Sequence, residues 1–243
     1  PPERSEEETR EVNQAQFVAS ESAATVAAMH HLGKPTVVNV HDVMEGAAAE
    51  GVLDKGDKIL KVEDTEIAKP SEVQDEIFSR SPGDTVRLTI LRGDTEETKE
   101  VTLKANPNDE KQPMLGILMD SEPAGGVQVH YNLNDIGGPS AGMMFSLAVI
   151  DKLTAGELNG GKYVAGTGTI NDDGEVGPIG GIEHKIRGAR DDGAELFLAP
   201  EGNCPTVKNT DAGEMTVASV ANLDEAIDAM EAFAAGQPVR GCE

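Results

Sequence analysis

Gly137-Gly138-Pro139-Ser140-Ala141-Gly142 sets a serine among residues with almost no side chain, at the head of an apolar run that contains Met143, Met144, Leu147, Ala148, Ile150 and Leu153. That run has the spacing of a helix with one buried side, so Ser140 falls in its first turn. Unpaired backbone N–H groups and the positive end of the helix dipole gather there. Gly138, Pro139 and Ala141 supply the backbone beside the hydroxyl, and an oxyanion forming next to Ser140 would meet it, as acyl transfer requires. A serine in this place also serves as a plain N-cap. What separates the two readings is a base, because a hydroxyl is a poor nucleophile near neutral pH without one in hydrogen-bond reach.

Two bases come into question. Gly138-Pro139-Ser140-Ala141-Gly142 satisfies the G-x-S-x-G pattern of α/β-hydrolases, which place an acid and then a histidine later in the chain. His184 is the one histidine after Ser140, and it lies inside a predicted helix rather than in a loop after a strand. Lys185 follows it, in a helix opened by Pro178-Ile179-Gly180-Gly181. A lysine desolvated there would lose proton affinity and accept the serine proton. Arg187 and Arg190 are the solvated alternatives on the same helix. Taken alone, a helical lysine is a surface residue, and it is the pairing with Ser140 that singles out Lys185.

Around these segments strands are predicted at 115–119, 127–133, 163–170, 195–199 and 216–220, with helices from Ser140, Gly181 and Leu223. Alternating strands and helices make this an α/β domain. It is bounded at 114–243 by the polar stretch 106–113, which two prolines punctuate and which is read as a linker. The chain before it has a different texture. Residues 1–33 carry a helix over 11–31 with a face of small residues, Ala15, Val18, Ala19, Ser22, Val26, Ala27 and Met29. Alternating strands follow at 36–40, 57–62, 84–91 and 98–103, with a short helix over 71–80 that has Ser71 as N-cap.

The punctuation of this first block, above all Gly46-Ala47-Ala48-Ala49-Glu50-Gly51-Val52-Leu53-Asp54-Lys55-Gly56-Asp57-Lys58-Ile59-Leu60, resembles a bacterial PDZ domain over residues 34–105. The resemblance implies a β-rich domain that adds a peptide as an extra strand beside an open sheet edge, with backbone N–H groups of a small-residue loop holding its carboxylate. In the family pattern that loop and the next strand should precede Thr36. Leu32-Gly33-Lys34-Pro35 is too short for both, which leaves peptide capture and a packing or gating role both open.

The second block carries a more specific likeness. Gly138-Pro139-Ser140-Ala141-Gly142, then Thr167-Gly168-Thr169-Ile170, then Val176-Gly177-Pro178-Ile179-Gly180-Gly181-Ile182-Glu183-His184-Lys185-Ile186 resemble, in spacing and order, the proteolytic domain of Lon-type serine proteases, from about Leu115 to Ala235. The resemblance implies that Ser140 is the nucleophile, Lys185 its general base, and Thr167 the residue whose hydroxyl orients that lysine. Many Lon proteins have an acidic residue three positions before the serine. Here Gly137 stands in that place, which leaves the acid's role absent or supplied by another residue such as Asp135.

Lon enzymes usually carry an ATPase module. Gly156 to Tyr163 nearly fits G-x-x-x-x-G-K-[ST], but Tyr163 replaces the hydroxyl residue and a strand follows, so no ATP site is expected in this chain. A PDZ-like block ahead of a Lon-like domain is similar to the membrane-anchored PDZ-Lon proteases of bacteria. That likeness implies an ATP-independent serine endopeptidase with protein or peptide substrates, on the extracytoplasmic face of the membrane, with its anchor outside this chain. The alternative is a PDZ-type peptide-binding module on an idle Lon-like scaffold. The family also implies a homo-oligomer.

Composition narrows the rest. With 20 Lys and Arg against 44 Asp and Glu the net charge is -24, which repels phosphate backbones and sets nucleic acid aside. No run of 18 apolar residues occurs to span a bilayer. No metal or cofactor is expected, since neither Cys204 nor Cys242 has a second ligand at metal spacing. The two cysteines admit free thiols or a bridge closing a loop of about 38 residues, which chain entropy rates at ~4 kcal/mol. An extracytoplasmic location, implied by the resemblance, favours the bridge.

Overall fold

The computed structural model describes residues 5–131 and 138–243. Its first element, α1 (Glu6–His31), begins five residues before the helix expected over 11–31. Ser5 explains the earlier start: its hydroxyl accepts from Glu8 N–H at 3.1 Å, and the Glu8 carboxylate accepts from Ser5 N–H at 2.8 Å. This reciprocal capping box satisfies two otherwise orphaned donors.

The chain divides into two compact units, Lys34–Gln128 and α1 with Val129–Glu243. The first is built from β1 (Thr36–Val43), β2 (Lys58–Val62), β3 (Thr65–Glu66), α2 (Pro70–Phe78), β4 (Thr85–Arg92), β5 (Thr95–Thr102), β6 (Lys104–Asn106), β7 (Asp109–Met114) and β8 (Ile117–Pro123). A six-stranded antiparallel sheet runs in the order β5-β4-β2-β1-β8, with β3 added to β2. Its inward alternation (Val38, Val40, Ile59, Val62, Val86, Leu88, Ile90) meets Leu53, Val73, Ile77 and Leu115 in one core. α2 starts one residue before the predicted N-cap Ser71, because Glu72 reaches back to Ala68 N–H and Lys69 N–H at 3.1 and 3.0 Å and makes Lys69 the cap.

Two expectations fail here. The stretch 106–113 is not a linker: Lys104–Asn106 and Asp109–Met114 pair as a hairpin across an Asn-Pro-Asn turn. The turn residues that suggested a boundary serve to reverse a β-ribbon, a second use of the same chemistry. Nor does the next strand open the second domain. β8 pairs antiparallel with β1 from Thr36↔Pro123 to Val43↔Ile117, so the first domain runs on through residues that were given to the second.

The other unit comprises α1, a 3-10 turn at Pro139–Ala141, α3 (Gly142–Leu153), β9 (Val164–Gly166), β10 (Thr169–Ile170), β11 (Val176–Gly177), α4 (Ile182–Asp191), β12 (Leu196–Pro200), α5 (Cys204–Val207), β13 (Thr216–Val220) and α6 (Leu223–Ala234). A parallel three-stranded sheet, β13-β12-β9, lies at its centre. β12 is buried at all five positions, as a central parallel strand must be. The strand expected over 127–133 does not appear over 127–131, and its last two residues fall outside the described ones. α1 is no separate N-terminal segment: Ala24, Ala27, Ala28 and Met29 share a core with Met143, Leu147, Ile150, Leu198 and Ala218. Ser146 donates to Ala24 O at 2.8 Å within that buried contact.

Candidate active site

Three backbone constraints fix the serine. The turn Pro139–Ala141 places Ser140 just before α3. Gly168 N–H donates to Ser140 O at 2.8 Å, and Met143 N–H donates to Gly168 O at 3.1 Å, so the serine segment is stitched to the chain between β9 and β10 on both sides of its turn. Gly142 allows the close approach: a Cβ there would lie 3.0 Å from Ile170 Cγ2 and 3.3 Å from Ser20 Oγ of α1. On the other side of residues 132–137, Tyr131 Oη bonds Thr25 Oγ1 at 2.9 Å and its ring stands 5.2 Å from that of Phe145. Burial pushes the Tyr131 phenol up to about 12, against the opposing effect of its Thr25 hydrogen bond, so this anchor stays protonated at any ordinary pH.

Thr167 sits at the end of β9, held by its N–H to Leu198 O at 3.2 Å, and is only 2 % exposed. Its hydroxyl donates to Ser140 O at 3.0 Å. Lys185 reaches the same point from α4. Its Nζ lies 3.1 Å from Ser140 Oγ and 3.2 Å from Thr167 Oγ1. The Thr167 hydroxyl has one hydrogen, and it is directed at Ser140 O, so toward Lys185 it is an acceptor. One amine N–H is thereby aimed at Thr167. In the neutral amine the lone pair is left for Ser140.

Ser140, Thr167 and Lys185, far apart in the chain, thus meet within hydrogen-bond distance. His184, the base a hydrolase pattern would use, has its side chain 77 % exposed and faces Glu183 at 3.6 Å. One expectation about Lys185 is overturned: its surroundings do not exclude water. Ile182 and Ile186 go into the core and put Lys185 on the open side of α4, where it is exposed, and around Gly180 there is no atom within 4 Å of where a Cβ would be. Of the backbone groups named beside Ser140, Gly138 (φ 85) precedes the turn and Ala141 ends it, but Pro139 has no N–H to donate and contributes only its fixed φ. Gly137 and Asp135 lie outside the described residues.

Cys204 and Cys242 are joined in a disulfide. The stretch Gly156–Tyr163 forms turns that lead into β9, not into a helix. Among the described residues no group of three or more metal-ligating side chains occurs, and no helix is long and apolar enough to cross a membrane. Gly168 shows in the sequence only as part of a motif, with no sign of its bond to Ser140, and Asn203, which contacts Ile179 ahead of α4, carries no local signal at all.

Residues 12–103 match the PDZ domain family, and residues 126–232 match the Lon protease (S16) C-terminal proteolytic domain. The PDZ match begins inside α1 and stops short of β6, whereas the sheet is completed by β8. Among curated proteins, "Lon protease 2" of Herpetosiphon aurantiacus is 28% identical over 168 residues, 62% of this chain and 20% of that protein. The "Lon protease" of Roseiflexus castenholzii is 39% identical over 71 residues, 29% of this chain and 9% of that protein. The chain thus spans a fifth or less of these relatives' length. Among solved structures, the PDZ domain of an SdrC-like protein from Listeria monocytogenes is 30% identical, covering 34% of this chain and 85% of that one, with a TM-score of 0.31. This chain joins a PDZ domain to a C-terminal proteolytic domain of the Lon protease (S16) family.

Proposed function

We propose that this protein is an ATP-independent serine endopeptidase that cuts unfolded or flexible protein chains with a Ser140–Lys185 dyad. The observation that carries the reading is the 3.1 Å between Lys185 Nζ and Ser140 Oγ, with Thr167 Oγ1 at 3.2 Å from the same nitrogen. Ser140 attacks a peptide carbonyl as neutral Lys185 takes its proton. Backbone N–H groups at Gly138 and Ala141 meet the oxyanion, and Lys185 returns the proton to the departing amine. Water then cleaves the acyl-enzyme by the same route in reverse. Because Lys185 is exposed in the single chain, the cover that expels water from the dyad has to come from the substrate itself or from a second copy in a homo-oligomer. The Cys204–Cys242 bridge supports an oxidising, extracytoplasmic setting.

Ser140→Ala is expected to abolish cleavage of a fluorescently labelled unfolded protein and labelling by a fluorophosphonate, with the circular-dichroism spectrum unchanged. Added ATP is expected to leave the wild-type rate as it is. A Ser140→Ala chain that still cuts would remove the reading.

A second reading, peptide capture by the PDZ domain, is favoured by one observation. The loop and strand missing before Thr36 are supplied from the far end: Gly116 (φ 77) turns the chain, and β8 forms the sheet edge. A Cβ at Gly116 would sit 2.1 Å from Ala47 Cβ, so the turn admits only glycine. Between α2 and β8 lies an apolar groove of about 120 Å³ that includes Ile77, Phe78, Leu115, Ile117 and Met119. An extended chain end added beside β8 would place alternate side chains there. On this reading a peptide with an apolar C-terminus binds the Ser140→Ala chain unchanged, and changing the exposed groove residue, Phe78→Asp, removes the binding; an equal affinity for the Phe78→Asp chain would refute it.

A further inference from the structure

Two of the three groups that meet at Ser140 take their place from β12. Thr167 does so directly, through its N–H to Leu198 O at 3.2 Å. Lys185 does so at one remove. β12 ends at Pro200 and turns through Glu201–Asn203, and Asn203, only 8 % exposed, faces Ile179. Its Oδ1 accepts the Ile179 N–H at 2.9 Å, and its Nδ2 donates to the Ile179 carbonyl at 2.8 Å. A single amide thus holds both polar groups of one backbone residue, as a neighbouring strand would. Gly202 closes on the residue before: a Cβ there would come within 3.2 Å of the Pro178 ring.

Past this clamp, Gly180 and Gly181 are all that precedes α4. Gly181 is left-handed (φ 69), and neither glycine has a side chain to seat it. A Gly-Gly joint has more backbone freedom than any other pair. The start of α4 is therefore held from two points, the Ile179 clamp upstream and the packing of Ile182 and Ile186 against Phe197, Ala199 and Val207. Lys185 is the fourth residue of that helix. A shift of its first turn carries the amine with it, and the dyad tolerates little, since about 1 Å of misplacement costs on the order of 10²-fold in rate.

We propose that Asn203 is a positioning residue for the dyad: by fixing Ile179 it sets where α4 begins and hence the reach of the Lys185 amine to the Ser140 hydroxyl. The chemistry requires an amide. Aspartate keeps the acceptor for the Ile179 N–H but turns a carboxylate oxygen toward the Ile179 carbonyl, and leucine keeps the volume with neither bond. Cys204, the next residue, is bridged to Cys242, which ties the clamp's other end to the C-terminal tail.

This inference rests on the serine-lysine reading, and the experiment separates the two. Wild type, Asn203→Leu, Asn203→Asp and Ser140→Ala are compared as the 243-residue chain, well below each melting temperature. The measurements are kcat and KM on an unfolded protein substrate and the rate of Ser140 labelling by a fluorophosphonate. Asn203→Leu is expected to lower kcat by about 10²-fold and Asn203→Asp by about 10-fold, with KM unchanged and labelling slowed in step. A folded Asn203→Leu chain with wild-type kcat and labelling, and only a lower melting temperature, would show a structural role and overturn the proposal. Where the leucine chain fails to fold, Asn203→Asp decides by the same criterion. Undiminished cleavage by Ser140→Ala would remove the dyad reading, and the clamp's role with it.

Discussion

The single hydrogen on the Thr167 hydroxyl decides how the site is oriented. Spent on Ser140 O, it makes Thr167 an acceptor for Lys185 and leaves the amine lone pair for Ser140 Oγ. Thr167→Val is therefore expected to lower kcat by about 10- to 10²-fold, since the lysine loses its orienting partner. Loss of that buried bond adds ~1 kcal/mol of destabilisation. Thr167→Ser keeps the oxygen and should restore most of the rate, and steady-state kinetics on the three proteins checks both statements. Gly168→Ala is expected to be as damaging for another reason. The added methyl would lie 2.8 Å from Val176 Cγ1 and 3.3 Å from Pro200; overpacking of this kind costs about 1–3 kcal/mol, and relief would pull Gly168 off Ser140 O, lowering both melting temperature and activity. That Ser140, Thr167 and Lys185 would meet was legible because each stands in a motif with its own spacing. The exposure of Lys185 was not, since burial depends on what packs over α4, and two glycines ahead of a helix do not say. Asn203 was equally invisible: nothing local links it to Ile179, 24 positions away.

At the scale of elements, what the period of apolar residues reports is a strand or a helix, not its partner. The alternation of β1, β2, β4 and β5 was plain, and so was the helical spacing of α1, α3 and α6. β8 was also seen as a strand, yet given to the wrong domain, because pairing with β1 some eighty residues earlier leaves no mark on its own residues. The β6–β7 hairpin was lost for a related reason, its polar turn being indistinguishable from a boundary. The ends of β2 and β4 hold the buried charge of the PDZ domain. Asp57, 2 % exposed, accepts from Arg92 Nε at 2.9 Å and Nη2 at 2.7 Å, and from Asp54 N–H. Burial alone would push its carboxyl up, but the Arg92 hydrogen bonds, the Asp54 N–H and the Arg92 charge together hold it below its ordinary value. A depressed carboxyl contributes stability that is fully present above the unfolded-state value of about 4 and is lost as pH falls through the folded-state value. The urea concentration needed to unfold residues 34–128 is therefore expected to drop as the pH goes below about 4. Arg92→Met leaves Asp57 buried without its partner, at about 1–3 kcal/mol. With burial then raising the carboxyl, acid no longer removes a stabilising charge, so the loss of stability on acidification should shrink or reverse; an identical pH profile for the variant would count against the pairing.

For the molecule as a whole, residues 34–128 are a domain inserted between α1 and the chain it packs with. That arrangement could not be read along the sequence, where α1 is followed at once by PDZ-like strands and the small residues of its buried face suit a partner helix without naming one. The physical account is in the core: Ala24, Ala27 and Ala28 are small enough for α1 to lie close against α3, and Met29 fills the space beside them, all nearly or fully buried. A fully buried methionine alone contributes about 1.5–3 kcal/mol, and Ser146 would lose its acceptor at Ala24 O if the helix left. Marginal stability of about 5–15 kcal/mol for a domain makes such a loss decisive. A chain of residues 34–128 is thus expected to fold alone with a single cooperative melt, since it contains all the strands of its sheet, β8 included, and the residues of its core cluster all lie within it. A chain of residues 129–243, lacking α1, is expected to bind a hydrophobic dye and to melt without cooperativity, and adding a peptide of residues 5–33 should restore both a sharp transition and fluorophosphonate labelling of Ser140. A cooperative melt of residues 129–243 without that peptide would mean that α1 only covers a core which is already complete.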